Sequence, residues 1–414
     1  MAINSILKKM GKWVVIGSGI VILILAAYLA PFFVLAPKQL PPPGIVETMD
    51  DLDRYFSSMV SEQVPPALDV TILKNGEEIF SRAYGLADGV VGEAATSDHV
   101  YHYWSITKSF TAVAIFQLIE SGKLSLHAPI TNYLPQFVPV NGSNEPVEVT
   151  IAHLLNHTSG LPEFLLGQFK WIHEVGEPRF GETRMVNERL GNFRTISNEP
   201  GKTSAYRNLN YVLLGAIIEA VTDGTYEDYV REHILIPLNM KDSDFIYRQD
   251  MLEKAARGTL AHYNFFTPIL RLLGPEGGVD ALTVELIENR RWLKLVYTDY
   301  AASTSLIGTS KDLSRFGQML LNYGELDGIR ILSTENALNI LEGGRLTDQG
   351  DMALGYGSTT WFDQRLKFVG HSGGGPGFKQ QYMLVPEKGL VIVVLTNSTA
   401  FDSLGLSMLI ASIF

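Results

Sequence analysis

Cysteine is absent from all 414 residues, which excludes disulfide bonds, thiolate nucleophiles and cysteine-held metals. The redox compartment stays open, because a chain without thiols is at home on either side of a membrane. Positive charge is also short. Lys and Arg number 33 against 44 Asp and Glu, a net charge of -11, and no segment supplies the clustered cations that a phosphate backbone needs, so a nucleic-acid partner is excluded. His102, His153, His173 and His262 have no metal-ligand spacing with each other or with nearby carboxylates; no metal and no cofactor is expected. Repeats and low-complexity tracts are missing too, apart from one proline run.

What is abundant is apolar material, 46% of the residues. Single cores rarely grow beyond about 250 to 300 residues, so one folded unit with two lobes is expected. From Trp13 to Leu35 the chain is apolar and almost uncharged, behind Lys8, Lys9 and Lys12. About 20 such residues cross a bilayer. The run therefore reads as a transmembrane anchor over 13–36, preceded by a basic leader, 1–12, in the cytoplasm by the positive-inside rule. The membrane would be a partner through this helix, in a single-pass cell-membrane protein whose remainder faces the periplasm or the cell exterior. A cleaved signal peptide fits less well, since Ala30 and Ala36 are each followed by proline. Residues 37–45, with Pro41-Pro42-Pro43, read as a stiff spacer, and 46–414 as the folded domain.

Met49 to Met59 alternates apolar and charged residues at helical spacing. Leu68 to Ile72 and Glu78 to Tyr84 read as strands around Asn75-Gly76, a strong hairpin signal. Leu366 to Val369, Gln381 to Val385 and Leu390 to Thr396 read as further strands, and Ser403 to Phe414 as an apolar helix. Residues from about 105 to 340 read mostly as helices and loops. The expected fold class is α/β: an antiparallel sheet formed by both chain ends and flanked by helices, with an inserted, mostly helical lobe and a cleft between the two.

Ser105-Ile106-Thr107-Lys108 places a hydroxyl and an amine at i and i+3, one above the other on a helix turn, where the amine can activate the hydroxyl. A second match, Ser5-Ile6-Leu7-Lys8, lies in the basic leader. Ser105 instead follows Tyr101, Tyr103 and Trp104 and opens the apolar run Phe110 to Ile119. Acyl transfer also needs a proton shuttle and donors for an oxyanion. Tyr206-Arg207-Asn208, the sole Tyr-x-Asn, lies between a turn-rich stretch and an apolar helix. His371-Ser372-Gly373-Gly374-Gly375, with the sole His-x-Gly, starts at the end of a predicted strand, where small residues let a substrate approach the backbone.

Ser-x-x-Lys, Tyr-x-Asn and His-x-Gly in this order resemble the serine β-lactamase and penicillin-binding superfamily, in the branch of class C β-lactamases, D-alanyl-D-alanine carboxypeptidases and esterases. Leu154 to Pro162, Ser310 to Phe316 and Gly377 to Asn397 are similar to further segments of that branch. The resemblance covers roughly residues 46 to 400 and implies a β-lactamase-like fold and roles for each group. Ser105 is the acylated nucleophile. Lys108 takes its proton or readies Tyr206 to do so, and Tyr206 passes a proton to the leaving group. The backbone N–H groups of Ser105 and Gly374 form the oxyanion hole, while Asn208, His371, Ser372 and Gly373 bind a small-molecule or peptide substrate.

Three departures stand out. His371 occupies the place of a lysine in typical β-lactamases, which points towards peptidases and esterases. Bulky Arg207 stands where the family has a small residue, and Ala302 to Ser305 replaces a glycine pair. His157 and Ser159 read as turn-holding residues rather than triad members. The insertion 264–300 carries the apolar stretch Phe265 to Leu273, read as core, as a lid or as a patch for the membrane surface. The expected activity is an acyl-enzyme hydrolase of amides or esters; the alternative is a non-hydrolytic penicillin- or peptide-binding receptor.

Overall fold

The computed structural model describes residues 29–31, 38, 41–42, 44–164, 169–342, 345–346, 352–363 and 366–414. Its frame is a nine-stranded antiparallel sheet made by the two ends of the chain. β1 (Ala67–Lys74) and β2 (Glu77–Asp88) form a hairpin. Asn75 and Gly76 join them at φ of 52° and 85°, the left-handed pair that a two-residue hairpin loop demands. β3 (Glu93–Ala94) lies at the edge beyond β2. The far end of the chain supplies β4 (Arg345–Leu346), β5 (Met352–Leu354), β6 (Thr359–Asp363), β7 (Leu366–Gly375), β8 (Phe378–Val385) and β9 (Leu390–Thr396). β9 closes on β1 with Val394 opposite Val70, so the order is β4-β5-β6-β7-β8-β9-β1-β2-β3.

Five helices build the layers: α1 (Met49–Ser61), α2 (Thr107–Glu120), α3 (Asn208–Thr222), α4 (Ser310–Leu321) and α5 (Ser403–Ser412). β9 is buried on both faces, and its period of two sends Ile392 and Val394 one way and Val391, Val393 and Leu395 the other. The first set packs with Leu52, Phe56 and Met59 of α1 and with Leu406 and Ile410 of α5. α1 begins at a capping box between Thr48 and Asp51. The second set joins the larger core, where Phe110 of α2 stacks on Phe316 of α4 with centroids 3.8 Å apart. α2 is apolar on nearly every side, as a helix buried all round must be.

The lobe between the sheet's two halves carries more strand than the helices and loops expected. Thr259–Ala261, Arg290–Leu293 and Thr283–Ile287 form a three-stranded sheet, and Tyr101–His102 pairs with Ile307–Gly308. Two of the three strands belong to the insertion, whose helix Phe266–Leu273 buries Thr267 and Leu270 while Leu272, and Phe265 just before it, stay exposed.

One expectation is overturned. Among the described residues no helix is long and apolar enough to cross a membrane, so the transmembrane anchor over 13–36 and the single-pass, outward-facing placement built on it do not stand. The leader and most of that apolar run fall on residues 1–28, outside the described residues.

Candidate active site

Three chain segments meet at the start of α2. The first is a strained turn: Trp104 has φ of +52°, a left-handed conformation that costs a bulky residue about 1–3 kcal/mol. Its surroundings hold it there. The indole stacks on His102 at 4.4 Å, the Trp104 N–H donates to His102 Nδ1 at 3.2 Å, and the carbonyl accepts from Thr107 Oγ1 at 2.6 Å. The turn leaves Ser105 partly exposed at the cleft, while Lys108, one helical turn on, is fully buried.

The second segment is β7, and its glycines are a steric requirement. A Cβ on Gly373 would lie 2.0 Å from the Tyr103 carbonyl oxygen, and one on Gly375 would lie 2.4 Å from the Trp104 indole. Only glycine lets the strand lie against the Ser105 turn. Gly374 between them is exposed, its nearest obstacle being the flexible Lys379 side chain at 3.3 Å. His371 sits inside the strand rather than at its end. Its Nδ1–H donates to the Ser372 carbonyl at 2.7 Å, which leaves Nε2 as the accepting nitrogen of a neutral ring. Burial first, then the nearby Lys108, holds the His371 pKa down at about 3. Alternation turns Ser372 to the other face of the sheet, where its hydroxyl donates to Gln381 Oε1.

The third segment is the entry to α3. Lys108 Nζ donates to Asn208 Oδ1 at 2.8 Å and to the Ser303 carbonyl at 2.9 Å, and stands 3.3 Å from Ser105 Oγ. Ser303 Oγ donates to the same Asn208 oxygen at 2.8 Å. Burial pushes the Lys108 pKa well below the usual lysine range, with Glu163 pulling it back up. Lys108 Nζ also lies over the Tyr206 ring, 4.9 Å from its centroid. The Tyr206 hydroxyl has no hydrogen-bond partner within the described residues. Burial raises its pKa above the ordinary tyrosine value, although Ser105 lies near enough to oppose that shift; Tyr206 therefore rests as a protonated phenol.

The Arg207 guanidinium donates to the carbonyls of Leu161 and Tyr206 at 3.3 and 2.9 Å, bracing the turn. His157 packs its ring on Tyr206, centroids 4.6 Å apart, and its Nδ1 accepts the Arg207 N–H at 3.1 Å. Ser159 Oγ donates to Asn210 Oδ1 at 2.8 Å. Two residues of the site carry no motif. Ser303 lies in the short helix Ala301–Thr304, within the Ala302 to Ser305 stretch already noted as a departure, and Glu163 directly follows the Leu154 to Pro162 segment, where nothing in the pattern of residues singles it out.

The same arrangement has relatives. The family model described as Beta-lactamase matches residues 52–413. The chain belongs to the Beta-lactamase family. Membership places it in the serine β-lactamase and penicillin-binding superfamily. It is similar to a penicillin-binding protein of Bacillus subtilis, 28% identical over 79% of this chain and 67% of that one. Esterase EstB of Burkholderia gladioli is 31% identical over 47% of this chain and 51% of its own length. Protein flp of Staphylococcus aureus is 32% identical over 48% of this chain, which spans 39% of that longer relative. The D-amino acid amidase of Ochrobactrum anthropi shares the fold, with a TM-score of 0.69 over 86% of this chain and 96% of that one at 23% identity. The octameric penicillin-binding protein homologue of Pyrococcus abyssi aligns with a TM-score of 0.67 over 87% and 77% of the two chains at 25% identity.

Proposed function

We propose that this member of the Beta-lactamase family, through a hydrolase domain over 46–414, forms and hydrolyses an acyl-enzyme at Ser105, acting on uncharged esters or amides of small to medium size. The observation that carries the reading is the set of contacts at Lys108 Nζ. A neutral amine has two N–H donors and one lone pair. Asn208 Oδ1 and the Ser303 carbonyl take two donors, and the remaining direction faces Ser105 Oγ.

In this mechanism Ser105 Oγ bonds to the substrate carbonyl carbon as its proton passes to Lys108 Nζ. The carbonyl oxygen becomes an oxyanion held by the backbone N–H groups of Ser105 and Gly374. As the bond to the leaving group breaks, the Tyr206 phenol gives that group its proton and regains one from Lys108. Water then repeats the sequence on the acyl-enzyme and frees Ser105. Neutral His371 offers no counter-charge for a substrate carboxylate at the β7 edge, which favours esters and uncharged amides over penicillins. A relative named as an esterase supports the ester reading, and one named as a penicillin-binding protein is the reason to set a penicillin beside the ester in the test.

The test is intact mass of the purified protein after incubation with a fluorophosphonate, a penicillin and a p-nitrophenyl ester, beside Ser105→Ala. An adduct or turnover that vanishes in the variant supports the reading, and turnover of the ester without the penicillin supports the preference. Absence of any adduct would turn the assignment to a binding protein on a hydrolase fold.

A further inference from the structure

Glu163 is partly buried, and its carboxylate divides its two oxygens between two backbone donors. Oε2 accepts the N–H of Asn208 at 2.7 Å, and Oε1 accepts the N–H of Phe164 at 3.0 Å. The first bond crosses between chain segments and caps α3, whose own N-terminal neighbour Arg207 supplies no side-chain cap. Asn208 is the residue whose side chain receives Lys108. The carboxylate thus fixes the backbone from which the Lys108 partner projects.

Its charge acts on the same place. Glu163 and Lys108 attract one another, each opposing the effect of burial on the other. The groups facing this pair from the packed elements are Tyr206 and Tyr211 against Lys108, His157 and His371, Arg207 beside Glu163 and Tyr300 behind it. Burial keeps the two histidines neutral and the three tyrosines protonated. Burial raises the Glu163 pKa while its two backbone donors, together with Lys108 and Arg207, oppose that, and among these groups Glu163 alone can carry a negative charge.

Resting on the acyl-enzyme reading, we propose that Glu163 is a positioning residue of this hydrolase, which holds Asn208 in reach of Lys108 and keeps a negative charge beside that amine. A glutamine cannot replace it, because two N–H donors require two acceptors and an amide offers one acceptor and a competing donor.

The experiment compares wild type with Glu163→Gln in the full chain labelled with ε-carbon-13 lysine. NMR follows the titration of Lys108, assigned through Lys108→Arg, and the pH profile of kcat/KM is taken on a p-nitrophenyl ester. Removing the negative charge favours the neutral amine, so Lys108 should titrate about half a pH unit lower or more in Glu163→Gln. The acid limb of kcat/KM should move the same way, with its plateau down about tenfold. An unmoved Lys108 midpoint overturns the proposal. Because that midpoint is read without turnover, a wild type that hydrolyses nothing would sink the acyl-enzyme reading alone. Should Glu163→Gln fail to fold, Glu163→Asp keeps the charge on a shorter arm. It should retain the wild-type Lys108 midpoint while kcat/KM drops about fivefold or more, and an unchanged kcat/KM there overturns the proposal.

Discussion

Lys108 Nζ donates to Asn208 Oδ1 at 2.8 Å, joining the buried start of α2 to the first residue of α3. A hundred residues of chain separate the two, yet the bond determines how the amine is aimed. With Asn208 and the Ser303 carbonyl engaged, Ser105 Oγ at 3.3 Å is the remaining neighbour along the third direction of Nζ. Burial keeps the amine from holding its proton as an exposed lysine would.

Lys108→Ala should abolish acylation. General-base assistance is worth about 10²- to 10⁴-fold, so the second-order rate of fluorophosphonate labelling at Ser105 should fall by at least about a hundredfold. Labelling at near wild-type rate would remove Lys108 from the mechanism.

The pH profile should carry one acid limb belonging to Lys108 rather than to histidine. The neutral amine is the active form, so kcat/KM should rise with pH through the depressed Lys108 pKa. His371, neutral above about pH 3, contributes no limb in the working range. His371→Asn should therefore lower kcat/KM without adding or deleting a limb; loss of a limb near neutrality would show that His371 titrates in turnover.

Neighbouring glycines in β7 should respond oppositely to a methyl group. Gly373→Ala drives a Cβ into the Tyr103 carbonyl at 2.0 Å, backbone that cannot step aside, and should cost about 1–3 kcal/mol and most of the activity. Gly374→Ala meets only the flexible Lys379 side chain and should melt close to wild type. Equal melting temperatures for the two variants would contradict the packing described for β7.

Asp69 is fully buried in β1, with the Ser310 hydroxyl near enough to favour its charged form. Burial raises its pKa from 3.8 to about 7, with Ser310 and Lys311 opposing. A pKa raised on folding means stability that is complete below 3.8 and is lost as pH climbs towards 7. Asp69→Asn mimics the protonated acid. It should raise the melting temperature at about pH 8 and converge on wild type at about pH 4; the same shift at both values would refute the assignment.

Much of the frame is legible in the sequence. Asn75-Gly76 announces the β1–β2 hairpin because its turn type is decided by two residues, and β9 announces itself by an unbroken apolar run. The three motifs name Ser105, Lys108, Tyr206, Asn208 and His371 because each role demands a particular functional group. The strands Thr283–Ile287 and Arg290–Leu293 are harder to read: the first alternates only over Thr283 to Leu286 and leaves Val284 and Leu286 exposed, and the second opens with two arginines that the fold buries.

By itself, then, the sequence determined which chemical groups are present, their order, and the local elements whose residue periods and turns encode them. Tertiary structure alone decided their environment. The bonds from Glu163 to Asn208 and from Lys108 to Ser303 span 45 and 195 positions, distances over which no local pattern operates. The lowered pKa values of Lys108 and His371 come from desolvation by an entire packed lobe. The need for glycine at 373 and 375 exists only because β7 comes to rest against Tyr103 and Trp104.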